Sequence, residues 1–154
     1  MGFRCRYLVI KENQLLSLFV RKMKMLGLDV FTNVYLHNTE IDAVVFEYID
    51  SRRPYVHLFE VKARAKLKVI DQIERRRTLA DYLYVVIPYN IYPWIIRRVR
   101  DDIGIVIYIN GEFYLFRKPR YIGNGDKFLS IARIDKIKNS DVIIALSYDD
   151  SELR

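Results

Sequence analysis

Cysteine is almost absent from this chain: among 154 residues the only one is Cys5. An internal disulfide framework is excluded, a reducing and cytoplasmic setting is expected, and Cys5 reads as a packing residue. Histidine is nearly as scarce. His37 reads as a loop residue and His57 falls on the strand face opposite Glu60, so no Cys/His zinc pattern can be assembled. Glycine-rich phosphate loops, nucleophile elbows and dinucleotide fingerprints are missing, so no nucleotide cofactor is expected. Long hydrophobic runs are missing too. The apolar stretch after Arg4 and Arg6 is too short for a signal peptide, position 6 lacks the Ser or Thr of a myristoylation signal, and no run is long enough for a membrane span. No membrane partner is expected. Glutamine is confined to Gln14 and Gln72 while Ile, Lys, Arg and Tyr are heavily used, a usage seen in archaeal and other thermophilic proteins.

What the chain does contain is apolar and basic. Hydrophobic residues make up 51% and aromatics 14%, which excludes disorder and fits one domain spanning residues 1–154. The formal net charge is +7, the balance of a protein that meets a polyanion.

The most informative stretch runs from Glu40 to Lys62. Thr39 to Phe46 and Tyr55 to Lys62 are rich in β-branched and aromatic residues, and the break between them, Asp50-Ser51-Arg52-Arg53-Pro54, is turn chemistry. Alternation puts Glu60 and Lys62 on one face of their strand. A hairpin closing near Ser51 and Arg52 brings Asp42 opposite them. Ionisable groups in so apolar a setting are costly unless paired or bound to metal. Two carboxylates suit Mg²⁺, with Mn²⁺ able to substitute, and a neighbouring lysine can orient or deprotonate water. A structural ion pair is the plainer alternative.

Ile41-Asp42, followed after strand and turn by Glu60-Val61-Lys62, resembles the motif of the PD-(D/E)XK nuclease superfamily, the fold of many restriction endonucleases and of archaeal Holliday-junction resolvases. Ile41 stands where the family name has proline. The resemblance covers roughly residues 11–88. It implies an α/β, restriction endonuclease-like mixed central sheet flanked by helices, DNA as substrate, metal held by Asp42, Glu60 and the Val61 carbonyl, Lys62 acting on water, and a homodimer. Glu12, in the first turn of a first helix, is similar to a glutamate of the resolvase-like members and is expected to support the metal or its waters, with a carboxylate that simply complements the helix dipole as the plainer alternative. Gln72 is similar to a glutamine that several branches place on the following helix.

The surrounding chain supplies the frame. Residues 11–26 carry Leu15, Leu16, Phe19, Val20, Met23 and Leu26 at helical spacing, with Gly27 as terminator. Residues 28–36 read as a strand, and Glu40 as a rival acid in a solvated loop. Beyond Lys62 come Arg64, Lys66 and Lys68, then a helix whose stripe of Val69, Ile73 and Ala80 predicts that Arg75, Arg76 and Arg77 face solvent and hold DNA phosphates. Residues 81–88 read as a buried strand that completes a βαβ unit. Residues 93–100 read as a short helix with Trp94 as a packing anchor. Asn110-Gly111 marks a hairpin between residues 103–109 and 112–117, expected as a C-terminal extension, with Arg117, Lys118 and Arg120 as a basic cluster at its exit that is expected to contact the DNA backbone, an exposed strand end being the plainer alternative. Residues 127–138 fit a helix, and 142–146 fit a strand or helix equally well. The expected activity is metal-dependent DNA endonuclease; a DNA-binding protein without catalysis and an RNA endonuclease are the alternatives.

Overall fold

A computed structural model describes residues 10–36, 39–49 and 53–135. The first helix, α1 (Glu12–Met25), buries Leu15 and Phe19. It ends where Gly27, at φ +85°, lets the Leu28 amide reach the Met23 carbonyl at 3.1 Å and its own amide reach that of Lys24 at 2.9 Å. Those two bonds satisfy carbonyls that the helix end leaves orphaned. Leu28 is used in this cap, so β1 (Val30–Leu36) begins later than the expected residue 28.

The sheet continues through β2 (Thr39–Glu47), β3 (Tyr55–Val61), β4 (Tyr82–Pro88), β5 (Gly104–Ile109) and β6 (Glu112–Arg117). Among the described residues these form one six-stranded sheet in sequence order. Pairing is antiparallel from β1 to β3, parallel from β3 to β5, and antiparallel again between β5 and β6. Parallel neighbours need a crossover. Helix α2 (Leu67–Arg77) supplies the first, and a single turn with the short helix α3 (Tyr92–Ile96) supplies the second.

Two cores flank the sheet. On one face Leu15 and Phe19 of α1 meet Ala43, Phe59, Val61 and Val86. On the other, Val69 and Ile73 of α2, Ile95 of α3 and Phe128 of α4 (Gly125–Asp135) pack on strand residues such as Leu58, Leu83 and Ile105. The molecule is thus a mixed sheet flanked by helices. The hairpin turns at Asn110 (φ 49°) and Gly111 (φ 86°), a mirror-image turn matching strand twist. It does not stand apart as an extension, because β5 pairs with β4 and prolongs the central sheet. Helix α3 is shorter than expected: after Ile96 the chain turns to bury Val99 and Ile103 beside β5. Trp94 is a partly buried anchor with the Arg98 guanidinium 4.4 Å above its ring. Cys5, His37, Ser51, Arg52, Ile137 and residues 142–146 lie outside the described residues.

Candidate active site

The β2–β3 pairing carries Ala43 opposite Phe59, so the next step of the same register brings Asp42 to Glu60. Main chain locks them together. The Val61 amide donates to Asp42 Oδ2 at 2.7 Å, and the Asp42 amide donates to Glu60 Oε2 at 3.3 Å. The pleat changes at this point. Asn33, lying between the Thr32–Ala43 and Val34–Ile41 pairs, has φ 52°, and Ile41 and Val44 both join the α2-side core despite their odd spacing.

Glu60 is 1% exposed, the deepest acid of the group. Its Oε1 lies 3.9 Å from Lys62 Nζ and 3.5 Å from Arg76 Nε. Lys62 Nζ donates to Gln72 Oε1 at 2.8 Å, so α2 fixes the lysine beside the acid. Glu12 stands at the start of α1, where its Oε1 accepts the Ala63 amide at 3.1 Å. Its charge is near enough to Asp42 to raise that carboxyl. Burial, and next the charge of Asp42, push the Glu60 carboxyl up to about 7. Burial also raises Asp42, against the pull of the Val61 amide and Lys62.

A cavity of about 650 Å³ opens beside this cluster. Glu12, Lys62 and Gln72 line it together with Arg64, Lys66 and Lys68, while Asp42 and Glu60 lie behind Lys62 and are not among its lining residues. Lys11 and Asn90 also line it, and neither was selected from the sequence. Asn90 sits in the turn after β4, and its position depends on the β3–β4 parallel pairing. Nothing local marks it.

Several expected positions are revised. Glu40 is an exposed residue of β2, paired with Tyr35, and not part of a loop. Arg75 is exposed as expected, but Arg77 is only half-exposed and Arg76 does not face solvent. Arg76 is buried, its Nη2 donating to the Glu40 carbonyl at 3.1 Å, and its Nε, though within ion-pair distance of Glu60, makes no hydrogen bond among the described residues. Arg77 is tied to the Asp102 carboxylate. A signal for Arg76 was present: it completes the helical stripe of Val69, Ile73 and Ala80. Arg117 spends its guanidinium on the carbonyls of Ile103 and Arg100, at 2.9 and 2.6 Å. Lys118 is exposed and Arg120 pairs with Asp101. These three leave β6, three strands away from β3 and so roughly 14 Å from the acids.

Among the described residues no three or more His, Cys, Asp and Glu side chains gather as a ready cation site. Asp42 and Glu60 nonetheless form an oxygen donor pair whose mutual charge disfavours ionisation of both. That donor set fits a hard divalent ion that keeps most of its waters, as Mg²⁺ does.

The fold class is therefore mixed α/β, with a charged cluster at the carboxyl end of its central parallel strands. No protein-family model matches the chain, and no curated protein does. Among solved structures it is similar to a protein of unknown function from Silicibacter pomeroyi, with a TM-score of 0.56 and 10% identity over 86% of this chain and 94% of that one. That likeness concerns the fold. No helix of the described residues is long and apolar enough to cross a membrane.

Proposed function

We propose that the chain is a metal-dependent endonuclease of restriction endonuclease-like fold that hydrolyses phosphodiester bonds in DNA. The observation that carries this reading is the main-chain lock between Asp42 and Glu60, with Lys62 held by Gln72 at the edge of a basic cavity. Asp42, Glu60 and the Val61 carbonyl would hold Mg²⁺ or Mn²⁺. A bound ion of this kind stabilises developing charge on a phosphoryl oxygen and lowers the pKa of a bound water. The remaining work falls to the chain itself. Lys62 Nζ orients the attacking water or meets the phosphate, and Gln72 keeps its amine in place. Glu12, anchored to the Ala63 amide, accepts hydrogen bonds from solvent entering the cavity. Arg64, Lys66 and Lys68 grip the nucleic-acid backbone, which sets orientation and not sequence. A homodimer, cutting two strands, accords with this reading.

The second reading is a DNA-binding protein without catalysis. Arg76 favours it, since a buried guanidinium beside Glu60 supplies counter-charge that a metal would otherwise supply. The two separate on labelled four-way junction, flap, single-stranded and duplex DNA, with Mg²⁺, Mn²⁺ or EDTA. Nicking that requires the ion and disappears in Asp42→Ala and Lys62→Ala is the expected result. Binding without cutting in all three proteins gives the second reading, and cleavage confined to a substrate with ribose at the scissile position gives an RNA endonuclease.

A further inference from the structure

Helix α2 meets β3 in a regular way. Gln72 and Arg76 are four residues apart and share one face of the helix, while Glu60 and Lys62 are two apart and share one face of the strand. Four helical residues rise about 6 Å and two strand residues span about 6.6 Å, so the two spacings match. Gln72 Oε1 accordingly lies 2.8 Å from Lys62 Nζ, and Arg76 Nε lies 3.5 Å from Glu60 Oε1.

Arg76 is 9% exposed, and its guanidinium reaches both strands that carry the acids. Nη2 donates to the Glu40 carbonyl of β2, two residues before Asp42, and Nε faces Glu60 of β3 without a hydrogen bond. An arginine does not shed its charge in a protein. It therefore opposes the acids whether or not an ion is present. The charges acting here are few. Among the described residues, Glu12 and Glu40 add to the negative charge around Asp42, while Lys62 and Arg76 oppose the charge of Glu60. With all six groups ionised, four acids against two cations leave two negative charges, which one divalent ion balances. A second ion would leave the cluster positive.

We propose that Arg76 is the resident counter-cation of this site, a positioning residue that braces the two acid-bearing strands and limits them to one divalent ion. The inference rests on the reading of Asp42 and Glu60 as metal donors, but not on any cleavage of DNA. Removing the guanidinium takes a like charge away from beside an incoming ion. Removing a residue that only braced the strands would loosen the acids and weaken the ion's hold. The sign of the change in affinity therefore separates the two roles.

Calorimetric titration of Mn²⁺ alone into the full chain, without nucleic acid and at a fixed pH above neutrality, reads that sign. Wild type is expected to take one ion per chain. Arg76→Met is expected to bind Mn²⁺ about tenfold more tightly, the size that one charge at this range retains even under water-like screening. Its melting temperature then rises more on adding Mn²⁺ than that of wild type. Arg76→Gln, neutral but still polar, gives the same gain should the methionine variant fail to fold. Arg76→Lys keeps the charge and loses the hold on the Glu40 carbonyl, so it is expected to bind Mn²⁺ as wild type does while melting lower. Adding Glu60→Gln to Arg76→Met abolishes the gain, because the ion is held at the acids. Two ions per wild-type chain, or an affinity unchanged or weakened in both neutral variants, overturns the counter-cation and leaves the metal reading standing. Absence of Mn²⁺ binding in every one of these proteins overturns both. Binding as expected without any cutting of DNA supports the role of Arg76 and removes only the nuclease.

Discussion

Two buried acids on neighbouring strands respond to pH in opposite senses. Asp81, fully buried at the start of β4, accepts Arg53 Nη1 at 2.6 Å and the amides of Val56 and Gly125 at 2.8 and 3.0 Å. Burial works against its charge, but the guanidinium and both amides outweigh burial and hold its carboxyl below the usual range. Its stabilisation is complete above the unfolded aspartate pKa of about 3.9 and is lost as pH falls through the lower folded value. Glu60 has the raised pKa, so its contribution is complete below the unfolded glutamate value of about 4.3 and is lost as pH rises through about 7. Denaturant unfolding from pH 3 to 8, on the order of one step per unit, is expected to show both slopes. Asp81→Asn flattens the acid side, and Glu60→Gln flattens the side toward neutrality. Arg76 is coupled to the same acid. Arg76→Met leaves Glu60 with Lys62 as its one nearby cation among the described residues and is expected to cost about 3 kcal/mol. Adding Glu60→Gln to that variant restores most of the loss, readable as a double-mutant cycle in thermal unfolding.

At the scale of elements, two glycines separate backbone strain from crowding. Gly111, at φ +86° in the β5–β6 turn, has nothing within 4 Å of an added Cβ. Gly111→Ala therefore tests the left-handed conformation alone, and a loss of about 1 kcal/mol is expected. Gly125 starts α4 against the Asp81 carboxyl, where an added Cβ meets Asp81 Cγ at 2.6 Å and Arg53 Nη1 at 2.9 Å. Its substitution must move a clasp joining β3, β4 and α4. Gly125→Ala is expected to lower the melting temperature well beyond Gly111→Ala and to abolish most of the acid-side slope assigned to Asp81. A smaller effect than that of Gly111→Ala would remove the clasp from the account.

At the scale of the molecule, charge is unevenly useful. The net charge of +7 is carried by 26 Lys and Arg residues, but Arg53, Arg76, Arg77, Arg100 and Arg117 are engaged within the fold. Arg64, Lys66 and Lys68, all exposed at the cavity, remain for a polyanion. If each neutralises one phosphate, replacing all three by Ala lowers the log–log salt slope of DNA binding by about 3. Replacing Arg117, Lys118 and Arg120 changes it little, because their surface lies at the far edge of the sheet. Filter binding or fluorescence anisotropy across a salt series reads both.

The local patterns alone determined much of this protein. Alternation and β-branched content located the strands, Gly27 ended α1, and Asn110-Gly111 formed its turn, because each depends on chemistry within a few residues. The spacing of Asp42, Glu60 and Lys62 also sufficed to bring them together, since a hairpin ties distant numbers to one register. Tertiary structure decided the rest. Arg76 turned inward because its place on the helix faces Glu60, a contact across 16 positions of chain that its basic neighbours conceal. The hairpin joined the sheet because β4 offered an unpaired edge, and Asn90 reached the cavity because that same strand runs parallel to β3. Each of these depends on which surfaces meet once the apolar faces are buried, and burial is a property of the assembled layers rather than of any segment.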